Sequence, residues 1–385
     1  EQLMLPLRTS RGGFASGFMQ LEDRAEFVSL EKTTLNVSGV QRLHLGLLNR
    51  WSARPRSVRR LPKQFDGVVY RASFSPDGTQ IVAGGAARDT KVKIWSVKDG
   101  VVSRTFRHGS GVNNSNFSPD GSRVVTGSND GVVRIWNLEK DGELDLQIDV
   151  GGNPALVQFN DAGDRLLINT MEGSVGVWDA TSGFPLFDPV ALDGTSKFSK
   201  DCKNIVLGGA DGIVRLIDSE TGESSALGTR HNSAVSLSVS PAGKYVLTSA
   251  FADVLRVWDV STGELAWATE NPGSYLATAF HPDGDIVASC NAMNGDWDIG
   301  QIDLWNWRTG KRPVEALECE GQIYGGGLEF SPDGRLLAAG TVDGVLLIWE
   351  VSTGKRLFRA QQHSERIWTV GFSSDSKRLL TCSGD

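Results

Sequence analysis

Cysteine, histidine, methionine and tyrosine are scarce in this 385-residue chain, with 4, 5, 4 and 4 copies. The cysteines, Cys202, Cys290, Cys319 and Cys382, have neither the paired spacing of a metal site nor the density of a disulfide scaffold. They read as buried free thiols in a reducing compartment. No apolar run approaches the ~18 residues of a membrane-spanning helix, and no secretory leader is visible. No membrane insertion and a cytoplasmic location are therefore expected. Residue 1 is Glu, and the chain is expected to be cut from a longer protein. A glycine-rich phosphate loop, a His-Arg-Asp and an Asp-Phe-Gly are all missing, which excludes protein-kinase chemistry from these residues. Asn294, Asp296 and Asp298 start like a calcium loop, but Ile299 holds the glycine position and no Glu follows at the twelfth. No metal and no cofactor are expected. With a net charge of −7, nucleic-acid binding is not expected either.

Glycine and tryptophan, at 45 and 11, are abundant, and the glycines imply many tight turns. They recur in order. FSPDGTQIVAGGAARDTKVKIWSVKDG begins at Phe74, FSPDGSRVVTGSNDGVVRIWNLEKDG at Phe117, and further copies begin at Phe159, Phe198, Val239, Phe280, Phe330 and Phe372. The spacing is close to 40 residues throughout, except in the sixth copy, which inserts about five residues as a loop between its second and third strands, NAMNGDWDIGQ, with an unpaired Trp297. Each copy divides into runs of period two between turn residues. Four short strands per ~40–45 residues make one blade of a β-propeller, and blades bury their faces only by stacking on one another.

These copies look like WD-repeats (WD40), over residues 56–385. The Trp-Asp dipeptide stands at Trp178-Asp179 and Trp258-Asp259; Trp95, Trp136, Trp305 and Trp349 keep only the Trp, and Ile217 replaces it. The resemblance implies a hydrogen-bonded group that ties a blade together: His108, Ser128, Asp130 and Trp136 in the second copy, His231, Ser249, Asp253 and Trp258 in the fifth, and His363, Ser383 and Asp385 in the eighth. Recurrence at one phase of a repeat makes these residues structural rather than a catalytic Ser-His-Asp set.

The first 65 residues carry eleven Lys/Arg against five Asp/Glu. Val40, Leu43, Leu47, Leu48 and Trp51 fall on one helical face, with a capping box at Ser38–Gln41 and Pro55 closing it. Phe14, Phe18, Leu21, Ala25 and Val28 form a weaker stripe. A helical hairpin over residues 13–52 is the expectation, in preference to a degenerate blade with Leu43–Trp51 as its third strand. This hairpin, the basic stretch ARPRSVRRLP and the repeats are similar to the segment that joins a Ser/Thr kinase domain to a C-terminal WD-repeat array in planctomycete-type bacterial proteins. Val58–Leu61 occupies an outer-strand position, where charge discourages further pairing.

The fold expected is all-β: seven complete four-stranded blades plus a partial eighth at residues 56–385, after a helical hairpin and linker at residues 1–55. The resemblance implies that the loops before each first strand share a face with the second-to-third turns. Partner-binding candidates there are Tyr70, Arg88, Asp89, Tyr275, Trp297, Asp298, Tyr324 and Trp368, aromatic and charged residues of the kind that binding hot spots use. The function expected is a non-catalytic scaffold or recognition module that takes a protein or peptide. The alternative is the regulatory region of a kinase-like protein whose catalytic domain lies upstream, and a propeller enzyme with a channel site ranks last.

Overall fold

The turn from first to second strand is Phe-Ser-Pro-Asp-Gly in the repeats that begin at Phe74, Phe117 and Phe330. In the second copy Ser118 Oγ donates to Asp120 Oδ1 (2.6 Å) and accepts the Arg123 N–H (2.9 Å), while Asp120 Oδ1 takes the Ser122 N–H (3.0 Å). Gly121 sits at φ +74°, a backbone conformation that L side chains rarely adopt. The Ser118 hydroxyl and the Ser122 N–H hold the Asp120 carboxyl down to about 2. The same Ser–Asp bond recurs at Ser199–Asp201, Ser331–Asp333 and Ser373–Asp375. At the same end of the sheet Asp179 and Asp259, the Asp of each Trp-Asp, accept the Thr181 and Ser261 N–H groups and so set the turn into the outermost strand.

The structure is a computed structural model that describes residues 16–18, 28–29, 43–46, 58–61, 69–85, 89–233, 235–273, 275–293, 296–323 and 327–383. Among these, seven four-stranded antiparallel sheets and one larger sheet form eight blades. Blade 2 is representative: Val112–Phe117 innermost, then Arg123–Ser128, Val132–Asn137 and Glu143–Asp149. Second strands such as Arg165–Thr170 are buried almost throughout, because both their faces meet neighbouring blades. Outermost strands such as Val102–Arg107 alternate and face solvent.

The core lies in the seams. Val125 and Ile135 of blade 2 pack with Val157, Phe159, Leu166 and Trp178 of blade 3, and Ile348 of blade 7 packs with Ile367, Val370 and Leu379 of blade 8. The ring closes where Leu380 and Cys382 of blade 8 pack against Val69, Ala72, Ile81 and Trp95 of blade 1. Ser374 Oγ donates to Pro76 O (2.7 Å) and Arg378 to Gly78 O across the same seam. Glycines in second strands admit the next blade: a Cβ on Gly340 would lie 2.3 Å from Ile367 Cγ2.

Two expectations are corrected. Ser16–Phe18, Val28–Ser29 and Leu43–Gly46 are strands rather than parts of a helical hairpin. Leu45 pairs with Leu380, and Leu43 pairs with Leu61 of the strand Val58–Leu61, so N-terminal strands extend the eighth blade. The physical reason is the free edge of Leu379–Ser383. Its backbone N–H and C=O groups need partners, and sheet pairing satisfies them, whereas a helix packed there would not. The rest of the expected hairpin lies outside the described residues. In the sixth repeat the extra residues lengthen a hairpin instead of forming a loop. Ile286–Met293 runs against Asp296–Asn306, with Met293 opposite Asp296 and a register shift after Ala292.

Candidate functional site

The histidine groups resemble a hydrolase triad most closely in blade 5. His231 Nε2 lies 2.9 Å from Thr248 Oγ1, His231 Nδ1 lies 3.0 Å from Asp253 Oδ2, and Trp258 Nε1 donates to the same Thr248 hydroxyl at 2.8 Å. Blade 2 repeats the arrangement with His108 Nε2 at 2.8 Å and Trp136 Nε1 at 3.0 Å from Thr126 Oγ1, and in blade 8 His363 Nε2 lies 2.9 Å from Thr381 Oγ1. The hydroxyl in each group belongs to Thr126, Thr248 or Thr381, where the sequence reading placed Ser128, Ser249 or Ser383. Thr126 stands opposite Arg134, which makes it the diagonal neighbour of Trp136 on one sheet face, within reach of the indole. Ser249 is one residue further on and therefore on the opposite face. Its Oγ has no hydrogen-bond partner among the described residues. Ser128 and Ser383 donate instead to Ser110 O and Glu365 O.

These groups cannot act as nucleophiles. Thr248 is fully buried, accepts from the indole and is held against His231 Nε2. On the other side of the ring, Nδ1 faces the Asp253 carboxylate, which Arg256 also holds through Nη1 (3.2 Å) and Nη2 (3.0 Å). Burial first, and then the Arg256 and Arg134 charges, pull His231 and His108 down to about 4, so both rings are neutral. Asp130 takes the Gly109 N–H (3.0 Å) and pairs with Arg134 (2.9 Å). Asp385 lies outside the described residues.

The candidate partner face divides differently. Asp89 is buried beneath its own turn, accepting the Lys91 N–H at 3.1 Å. Tyr275 is buried in the seam of blades 5 and 6 with Leu247, Leu255 and Phe280. Arg88 and Tyr324 lie outside the described residues. Trp297 and Asp298 stand in the strand Asp296–Asn306, but their side chains are outside the described set. Tyr70 and Trp368 hold equivalent places, four residues before Phe74 and Phe372, in the adjacent blades 1 and 8. Their rings meet edge to face at 6.1 Å and 85°, and Tyr70 is 38% exposed. Arg366 lies over the Trp368 ring at 4.7 Å. The sequence reading missed Arg366. Its signal was a position two residues before a mouth aromatic. Met171 and Phe251, both exposed, lie on the same face in second-to-third turns of blades 3 and 5.

With this geometry established, comparison with known proteins gives the chain its relations. A profile described as WD domain, G-beta repeat matches residues 56–96, 100–137, 224–259, 320–350 and 354–385. The chain carries WD40 repeats. Its WD40 repeats are similar to those of WD repeat-containing protein 91 homolog of Dictyostelium discoideum, 30% identical over 49% of this chain and 25% of that protein. They are also similar to Periodic tryptophan protein 2 of Arabidopsis thaliana, 27% identical over 59% and 25%, and to Protein HIR1 of Cryptococcus neoformans, 26% identical over 77% and 34%. The chain thus spans a quarter to a third of the length of these relatives. The crystal structure of the computationally designed Ika8 protein superposes with a TM-score of 0.66, at 23% identity over 82% of this chain and 96% of that one, which supports the propeller fold.

Among the described residues no three His, Cys, Asp or Glu side chains gather into a group that could hold a metal ion. Three of the four free cysteines are buried, and burial pushes the Cys290 thiol up to about 12, away from reactivity at neutral pH.

Proposed function

We propose that the chain is a non-catalytic recognition module whose WD40 propeller takes a protein or peptide at the mouth formed by blades 8 and 1. The observation that carries this reading is the series of half-buried Arg366 and Trp368 and exposed Tyr70, a cation stacked on one ring and a second ring set against it. Tyr, Trp and Arg are the residue types that supply most binding energy at protein interfaces, and here they are preformed on rigid strand ends. The polar groups that resemble a triad are committed to holding blades together, which removes the observation favouring an enzyme. The kinase-tail reading rested on a helical hairpin together with the basic stretch and the repeats, and of these the described residues of the hairpin are strands.

A photo-crosslinking residue placed at position 70 and, as a control, at Leu144 on the outer edge would test the proposal. Crosslinks to one partner from position 70 alone, with capture reduced at least about tenfold by Tyr70→Ala at unchanged melting temperature, are the expected result. Equal crosslinking from both positions would overturn it.

A further inference from the structure

The seam of blades 8 and 1 gathers hydrogen-bond donors at the end where Tyr70 and Trp368 meet. Trp368 Nε1 is closed from solvent and has no hydrogen-bond partner among the described residues. An unpaired buried N–H is costly, so the indole is short of an acceptor. Arg366 rests on the same ring at 4.7 Å, and the Tyr70 ring is set edge to face against it at 6.1 Å.

Register brings further cations to this seam. Tyr70 precedes the first strand of blade 1, Lys91 starts its third strand, Lys91–Ser96, and Arg107 ends its fourth, so all three stand at one end of the blade. Lys91, Lys93 and Trp95 alternate along the third strand, and Trp95 packs between blades 8 and 1, so Lys91 faces that seam too. Arg107 is directly opposite Lys91 on the same sheet face, and it is exposed. Like charges so placed oppose the pairing of their strands unless a counter-charge arrives. The same loops bring two acids: Asp89, buried 3.7 Å from Lys91 Nζ, and the half-buried Glu365. Across the ring this end turns acidic. Glu172 of blade 3 and Asp193 of blade 4 are both exposed, and a Cβ added to Gly173, next to Glu172, would lie 3.2 Å from Asp193 Cβ.

We infer that the mouth at blades 8 and 1 takes an acidic segment of a partner protein, which rests on that mouth being the recognition site. An Asp or Glu carboxylate of the segment pairs with Arg366 and supplies the acceptor that the Trp368 N–H lacks, with rotation of the exposed Tyr70 ring admitting it. Guanidinium and N–H donors together favour a carboxylate over an amide of the same shape. The segment continues outward toward Arg107, and the acidic turns of blades 3 and 4 repel it from the other side of the ring.

Anisotropy titrations of the whole chain with three fluorescent hexapeptides, in which Leu alternates with Glu, Gln or Lys, test the assignment. The Glu peptide should bind at least about tenfold more tightly than the Gln peptide, and the difference should shrink as salt rises. Arg366→Gln and Trp368→Phe, which keeps a ring and loses the N–H, should each cut that preference at least about threefold with the melting temperature within a few degrees of wild type. Arg107→Gln should weaken the Glu peptide alone, and the Lys peptide should be indifferent to Arg366→Gln. A Glu peptide that binds no better than the Gln peptide, or a preference that survives both Arg366→Gln and Trp368→Phe, would overturn the acidic assignment. Crosslinking from position 70 keeps the two levels apart: a partner captured equally by wild type and Arg366→Gln overturns the acidic assignment alone, whereas equal crosslinking from Leu144 overturns the recognition site beneath it.

Discussion

His231 Nε2 stands 2.9 Å from Thr248 Oγ1, and the Trp258 indole N–H reaches the same oxygen at 2.8 Å, so one hydroxyl joins two buried rings on different parts of blade 5. The His231 side chain comes from the loop entering the blade and the indole from its third strand. The hydroxyl therefore fixes the loop to the sheet.

Thr248→Val keeps the shape and removes the hydroxyl, leaving the buried Trp258 N–H without its acceptor and breaking the bond to His231. A loss of about 2 to 4 kcal/mol is expected in urea denaturation. Ser249→Ala, one residue away, removes an Oγ that makes no hydrogen bond with any described residue and should change stability by less than about 0.5 kcal/mol. Equal losses would contradict the assignment of Thr248 as the joining residue.

Acid should weaken the fold through the histidines. His108 and His231 titrate near 4 in the folded chain and near 6.5 when unfolded, so the unfolded state takes up protons first. Their contribution is complete above about pH 6.5 and is lost as pH falls through 4, up to roughly 3 kcal/mol each. His231→Gln should flatten the slope of stability against pH between these limits, read from melting curves.

Glu329 acts with the opposite sign. Its folded-state value of about 7 lies above the ordinary 4.5, so the folded chain holds the proton more tightly and stability falls as pH rises between the two. Glu329→Gln, whose amide oxygen can still accept the Phe372 N–H, should melt higher than wild type at pH 8 and equally at pH 4.5.

Blade contact can be tested at Gly340. An added methyl would stand 2.3 Å from Ile367 Cγ2, so Gly340→Ala should cost about 1 to 3 kcal/mol. In the background of Ile367→Ala the same change should cost much less, and a double-mutant cycle would read that coupling. Additive losses would mean that the seam yields elsewhere.

How much of this was visible in the residues alone depends on how local the cause is. Phe-Ser-Pro-Asp-Gly is set by contacts within five residues, and its hydroxyl–carboxylate bond appears wherever the Ser and Asp stand, as at Ser118–Asp120 and Ser331–Asp333. The Tyr70–Trp368 pair was foreseen as two separate candidates, but the contact between residues almost 300 positions apart follows from ring closure.

The sequence by itself determined the repeats, the eight-fold recurrence of the blade and the turns that bound each strand, because all of these rest on spacing and on local backbone preference. Tertiary structure alone decided that Leu43–Gly46 is a strand. Its apolar spacing suits one face of a helix, but the free edge of Leu379–Ser383 offers Leu45 a partner in Leu380, and pairing a strand's backbone groups outweighs a weak local helical preference.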